Sequence, residues 1–555
     1  MIGAARTVPL AHPKLLPVLL FVASAGFVLW RNTEVGVLVD IAYPLNIATR
    51  IAAGDVPYAD FPLAHAPGEF LVQALLIKLL GPHFLVQIAY ATILGGLATM
   101  LAYAISVRVL AHAMERPHAL AAVLSLPLVP LGVYAIYPHP FYDADACIVV
   151  LLAILLILRA LARPTTVLWV IAGATTAIPV FIKQNIGGAF LLAVVAALVV
   201  EAVARPTARR GVALFGAGFI GAVAVEVAIL QVVVGLDHYV QWAWTFALAG
   251  RGLSFERISA FADPRVLWIG VLILVVGAAA SRLPLRARGL ALGAGVCVML
   301  AAAVVVPRSL VPVPLLFPPI LLAAAVVAVA RAFRDGPTVE TLLPVVLGLT
   351  TVGVVQSQGL GGSTFAAFPF LTLAVVSLTG ECSGLIPMPS RLVPLTGALV
   401  AVVLTVAGGD YTLSNARLRF IDVNAPGPVT HSTFPSLTGL SARGPYIAEL
   451  DAMLFWVRDN IPADDPITFL PGEDPSFYAL SRRPRLPSVY FYDVATPYTP
   501  AEIGRFADAT GLRWVIVKDR LQLNEEPPLE QAFVKALTEH ATLVTSVGPY
   551  RVFHR

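Results

Sequence analysis

The chain of 555 residues reads as a polytopic α-helical membrane protein with about thirteen spans and a small C-terminal α/β domain. Three observations predict this. First, 58% of the residues are hydrophobic and 13% charged, with a mean hydropathy of +0.83, whereas soluble domains carry roughly 25% charged residues. Second, apolar runs long enough to cross a hydrocarbon core of about 30 Å recur along the chain. Third, the basic residues gather in alternate connections between those runs and the acids in the others, as the positive-inside rule describes. A soluble globular protein is excluded. So is a nucleic-acid binder, because the net charge of +4 is spread over the whole length in short clusters.

The first apolar run, 15–30, follows Arg6 and Lys14. It continues past Ala23-Ser24-Ala25 to Trp30, beyond where the apolar region of a signal peptide stops, so an uncleaved first helix is expected. Further runs lie near 84–107, 119–136, 146–162, 165–182, 186–203, 211–235, 266–280, 289–306, 310–330, 341–356, 364–380 and 392–408. Arg108 and Arg116, Arg159 and Arg163, Arg205, Arg209 and Arg210, Arg282, Arg286 and Arg288, Arg331 and Arg334, and Arg391 fall on the same side as the N-terminus. Only five of the 37 basic residues are Lys, which with the Ala, Val and Leu richness points to a GC-rich bacterial genome. Such a chain belongs in the bacterial plasma membrane, with its N-terminus cytoplasmic. Cys147, Cys297 and Cys382 are scattered, with neither a disulfide framework nor zinc-ligand spacing.

An odd number of spans puts the segment 410–555 on the outer side, with the acids, and its composition turns to that of a soluble domain. The division is therefore 1–409 for the membrane part and 410–555 for an extracytoplasmic α/β domain. Within the latter, Tyr446–Asn460 has helical periodicity, Ile467–Leu470 and 514–517 read as strands, and 543–547 with 550–553 read as a terminal pair turned at Gly548.

Three outer loops, 31–82, 137–145 and 237–265, hold the residues with chemical potential. The first is too long for a simple connection. Asp40 opens a helical stretch, DIAYPLNIATRIAAG, that stops at Gly54; the turn-rich run Pro57-Tyr58-Ala59-Asp60-Phe61 follows, and His65-Ala66-Pro67-Gly68 leads into EFLVQALLIKLLG. That last segment is too short to span and suits an interfacial or re-entrant helix.

An acid just after the first span, a helix ending in Gly, PYADF, a Pro-Gly step and LLGP before the second span resemble the polyprenyl-phosphate-sugar-dependent glycosyltransferases of the GT-C superfamily. The likeness is to the ArnT-like and protein O-mannosyltransferase-like bacterial members. It extends to the number of spans, the acidic second loop and the outer C-terminal domain. The resemblance implies transfer of a monosaccharide from a polyprenyl-phosphate donor to an extracytoplasmic acceptor, with Asp40 as general base and the lipid-linked sugar in place of a cofactor. Relatives often carry Asp-Glu at this point, whereas Ile41 follows Asp40 here. Asp60 therefore stands as a competitor for the base.

The chemistry fits a lone carboxylate. A phosphate is already a good leaving group, so inverting displacement needs one base for the acceptor proton and cations for the departing phosphate, not the paired acids of glycoside hydrolysis. The structural alternatives are a solvated helix N-terminus for Asp40 and a turn-stabilising acid for Asp60. In the second loop, His139, Asp143 and Asp145 are candidates for binding donor, acceptor or a divalent cation, with Asp143 preferred, or else for capping the next span. Lys183, with Gln184 and Asn185, interrupts two apolar runs. The resemblance implies a phosphate-neutralising lysine at such a helix end, and snorkelling is the alternative. Arg251 is a further candidate for the lipid phosphate, among tryptophans that suit an interfacial belt. A glycolipid flippase or a non-catalytic envelope-assembly protein is the competing class, but no internal repeat is evident and most of the acids lie in loops rather than within spans.

Overall fold

The computed structural model describes residues 14–251, 254–259, 313–357, 359–360, 364–385, 392–414, 425–489, 497–522 and 531–555, with isolated positions between 261 and 284. The predicted span near 289–306 and most of that near 266–280, together with Arg282, Arg286, Arg288, Cys297 and Arg391, lie outside the described residues.

The membrane part is helical. By length and composition, seven helices among the described residues can cross a membrane, and three shorter apolar helices accompany them. The first helix, α1, is Leu15–Asn32; α2 (Leu38–Ala52) and α3 (Gly68–Leu80) occupy the first loop; α4 is Phe84–Leu110. Next come α5 (Pro117–Ser125), the short α6 (Leu128–Leu131), α7 (Tyr142–Ala162), α8 (Thr166–Ile182), α9 (Gln184–Ala204) and α10 (Arg209–Val233). After the third loop follow α11 (Phe317–Asp335), α12 (Val339–Val355), α13 (Phe368–Leu385) and α14 (Leu392–Leu413). The run expected as one span at 119–136 is instead broken into α5 and α6. Pro127 and Pro130 remove backbone donors there, and Gly132 turns extended at ψ 172°.

The loop helices end where glycine permits. Gly54 adopts φ +103° and Gly81 φ +79°, the left-handed region in which a side chain is strained. Tyr58 takes φ +68° without that freedom. Its turn is held by Tyr58 N–H donating to the Phe61 carbonyl at 2.8 Å and Asp60 N–H donating to the Val56 carbonyl at 2.9 Å.

Beyond the helices, β1 (Val429–His431) pairs antiparallel with β2 (Ser441–Arg443). A four-stranded sheet has the order β3-β4-β6-β5, in which β3 (Ile467–Leu470) and β4 (Trp514–Lys518) are parallel and the hairpin of β5 (Thr542–Val547) and β6 (Tyr550–His554) is antiparallel. The helix Tyr446–Asn460 packs its buried face, including Ile447, Leu450, Met453 and Leu454, into the same core as the first-loop helices. The sheet domain thus rests on the first loop. At Gly36 an added Cβ would lie 2.3 Å from the Ser441 carbonyl oxygen, so only glycine allows that approach.

The basic residues converge on one end of the bundle. Arg108 pairs with Glu340 at 2.8 Å, Arg331 with Glu381, and Arg205 stands 3.8 Å from the Cβ position of Gly336. At the other end of α12, Gly353 accepts from the Asn185 amide at 2.7 Å. Lys183 and the three loops belong to that second end.

Candidate functional site

The site forms where α2, the 61–68 segment, the start of α7 and the break between α8 and α9 meet. Pro179 lies in the last turn of α8, and Lys183 takes an extended conformation at ψ 106° before α9 starts at Gln184. Gly68 brings the start of α3 against that break. A Cβ on Gly68 would lie 2.5 Å from the Phe181 carbonyl oxygen.

Lys183 is the centre of the arrangement. Its side chain is 6% exposed; the ammonium lies 3.9 Å from an Asp143 carboxylate oxygen and 4.0 Å from the centroid of the Tyr142 ring. The ring face attracts the cation. Tyr142 stacks on His65 with centroids 4.6 Å apart, and the Tyr43 hydroxyl meets His65 Nδ1 at 2.7 Å. Tyr43 also stands edge-on to Tyr142 at 6.2 Å. An aromatic wall of Tyr43, His65 and Tyr142 thus joins Lys183 to α2, the helix whose first turn carries the half-buried Asp40. The helix N-terminus favours an anionic carboxylate at Asp40, and the N-terminus of α9 with Lys183 beside it favours an anionic ligand.

Several expected residues are committed elsewhere. Asp60 is exposed, and its carboxylate accepts the Val56 N–H at 2.7 Å, the turn-stabilising alternative. Tyr58 is buried; its hydroxyl donates to the His65 carbonyl at 2.7 Å, and burial raises its pKa. It supports His65. Asp145 accepts the Tyr90 hydroxyl at 2.7 Å on one oxygen and the Tyr134 hydroxyl on the other, so it is sealed behind the site. The Gln184 amide donates to the Ala243 carbonyl at 2.9 Å and the Asn185 amide to Gly353. Both brace helices. His139 is 1% exposed beside Tyr137, and burial pushes its pKa down to about 3; it sits there as a neutral ring. Arg251 closes the helix Ala247–Arg251, and its side chain lies outside the described residues. The third loop is tied down by Gln356, which receives the Ser254 N–H at 3.1 Å and, on its carbonyl, the Arg257 guanidinium at 2.8 Å.

Sequence reasoning gave no role to Tyr43, His65, Tyr142 or Glu69. Glu69, 1% exposed in the first turn of α3, faces Asp145 and Gln73, and burial followed by the Asp145 charge raises its pKa well above 4.5. Its position directly after the Pro-Gly step was the available signal. Spacing alone does not reveal that His65 folds back 22 residues onto Tyr43. Among the described residues no group of three or more His, Cys, Asp and Glu side chains forms a metal-holding cluster.

No protein-family model matches the chain, and no curated protein matches it. Among solved structures, it is similar to the oligosaccharyltransferase of Archaeoglobus fulgidus in complex with Zn and sulfate, at 13% identity and a TM-score of 0.47, over 91% of this chain and 68% of that one. It is also similar to ArnT from Cupriavidus metallidurans bound to undecaprenyl phosphate, at 14% identity, and in the apo state, at 13%; both have a TM-score of 0.41 and cover 97% of each chain.

Proposed function

We propose that the chain is a membrane glycosyltransferase that moves a monosaccharide from a polyprenyl-phosphate donor to an acceptor hydroxyl or amine on the extracytoplasmic side. The carrying observation is Lys183: a buried ammonium at a helix N-terminus, walled by Tyr142 and set 3.9 Å from Asp143. A buried cation in a membrane protein marks a functional site, and with the helix dipole it suits a phosphate monoanion or dianion.

In the reaction, Asp40 takes the proton of the acceptor as the acceptor atom bonds to the sugar C1. The bond from C1 to the phosphate oxygen breaks, and its electron pair leaves with the polyprenyl phosphate, whose charge Lys183 offsets. One displacement inverts the anomeric centre and uses one base. Tyr43, one helical turn from Asp40 and edge-on to Tyr142, and His65, stacked on Tyr142, stand between the base-bearing helix and Lys183. Asp143 orients the acceptor, or would hold a divalent cation that offsets the phosphate charge. The basic residues at the opposite end of the bundle support an N-terminus on the cytoplasmic side.

The test is transfer of labelled sugar from a synthetic polyprenyl-phosphate donor in proteoliposomes, with the wild-type chain and Asp40→Asn. The expected result is transfer by the wild type and a loss of about a thousandfold in the variant, the scale of general-base catalysis, with donor binding retained. Donor movement between leaflets without transfer supports a flippase and overturns the reading.

A further inference from the structure

The helix that carries Asp40 is gripped by the sheet domain at one buried amide. Asn46 is 0% exposed on α2. Its Nδ2 donates to the Asp474 carbonyl at 2.9 Å, and its Oδ1 accepts the Tyr478 N–H at 3.2 Å. An amide with both ends fixed on the backbone of one short segment fits a single axial position of its helix, because a shift of one residue leaves buried polar groups unsatisfied.

That segment is itself anchored in the sheet. The Asp474 carboxylate accepts the Tyr550 hydroxyl at 2.8 Å, the Gln522 amide at 3.0 Å and the Lys518 ammonium at 3.1 Å, and Glu473 lies 3.0 Å from the same ammonium. Lys518 and Tyr550 are partners across β4 and β6. A continuous buried polar chain therefore runs from the four-stranded sheet to Asn46. A second tie lies one turn on, where Arg50 donates to the Leu486 carbonyl at 2.6 Å and pairs with Asp55, which also receives Arg483. Burial lowers the Arg50 pKa against the pull of Asp55. Tyr43, Asn46 and Arg50 share one stripe of α2, so one face of the helix meets His65 and the two anchor points.

We propose that Asn46 is a positioning residue, through which the C-terminal domain sets the axial position of α2 and so the reach of Asp40 toward the acceptor. The inference rests on the reading of Asp40 as base. A displacement of the order of 1 Å in a catalytic group costs about a hundredfold in rate, so a residue that touches neither substrate controls turnover here. The cost falls on kcat, because donor binding belongs to Lys183 on another helix.

The experiment compares full-length wild type with Asn46→Leu and Asn46→Asp in lipid nanodiscs, by hydrogen exchange over 38–52, donor affinity and transfer rate at saturating donor. Asn46→Asp keeps the size and the acceptor half but loses the donor to Asp474, and carries the test if Asn46→Leu fails to fold. The expected result is faster exchange confined to 38–52, kcat lower by about tenfold to a hundredfold and donor affinity within about twofold of wild type. Faster exchange with unchanged kcat, or unchanged exchange, overturns the proposal. Should the wild type transfer no sugar, the reading of the site fails instead, while the exchange data still report whether Asn46 holds α2.

Discussion

The two ends of the helix bundle use charge in opposite ways. At the basic end, Arg108 and His112 contact Glu340 at 2.8 and 2.9 Å, and Arg331 lies 3.4 Å from Asp335 while pairing with Glu381. These are close contacts between part-exposed side chains, each worth little. At the loop end, Lys183 and Asp143 are 6% and 4% exposed and approach only to 3.9 Å. Taking two charges out of water is costly. The difference teaches that the first set orders a surface, whereas the second holds a cation and a carboxylate inside the protein.

Substitutions that break this contrast rank by size. Asp145→Ala leaves the Tyr90 and Tyr134 hydroxyls without their acceptor. It should cost about 3 kcal/mol of stability, seen as a lower thermal midpoint in detergent. Lys183→Met should weaken polyprenyl-phosphate binding by about thirtyfold, or about 2 kcal/mol, in a direct binding assay with the fold intact. Glu69→Gln sharpens the comparison through pH. Because burial raises the folded Glu69 pKa above 4.5, the folded chain binds more protons than the unfolded one above that value, so stability falls as pH rises toward the folded value. The thermal midpoint of the wild type should drop relative to Glu69→Gln over that range, and parallel curves would remove Glu69 from the buried acid set. Arg108→Met should cost less than about 1 kcal/mol and leave donor affinity unchanged.

Much of the architecture was legible because it follows from local rules. Gly54 and Gly81 end their helices as expected, the segment after the Pro-Gly step forms a helix too short to span, and Tyr446–Asn460, Ile467–Leu470 and the hairpin at Gly548 fall where periodicity puts them. The 119–136 run failed because hydropathy does not register Pro127 and Pro130. At the site, Lys183 and Asp143 were legible as rare charges beside apolar runs. Asp143 was also preferred to Asp145 there, but the engagement of Asp145 was not legible, because it depends on Tyr90 and Tyr134, which are distant in sequence from the site loops or unremarkable beside them. Gln184 and Asn185 looked like site residues for the same reason: an amide at a helix start has the same sequence signature whether it meets a sugar or the carbonyl of a neighbouring helix.

The proposed reaction is a displacement by one base, Asp40, with Lys183 on the departing phosphate. Its most direct test is the anomeric configuration of the product, read by NMR after transfer from a polyprenyl-phosphate donor of known configuration. The proposed single displacement predicts the opposite anomer, formed in a single turnover. A retained anomer would require a second displacement with an enzyme nucleophile and would contradict the account.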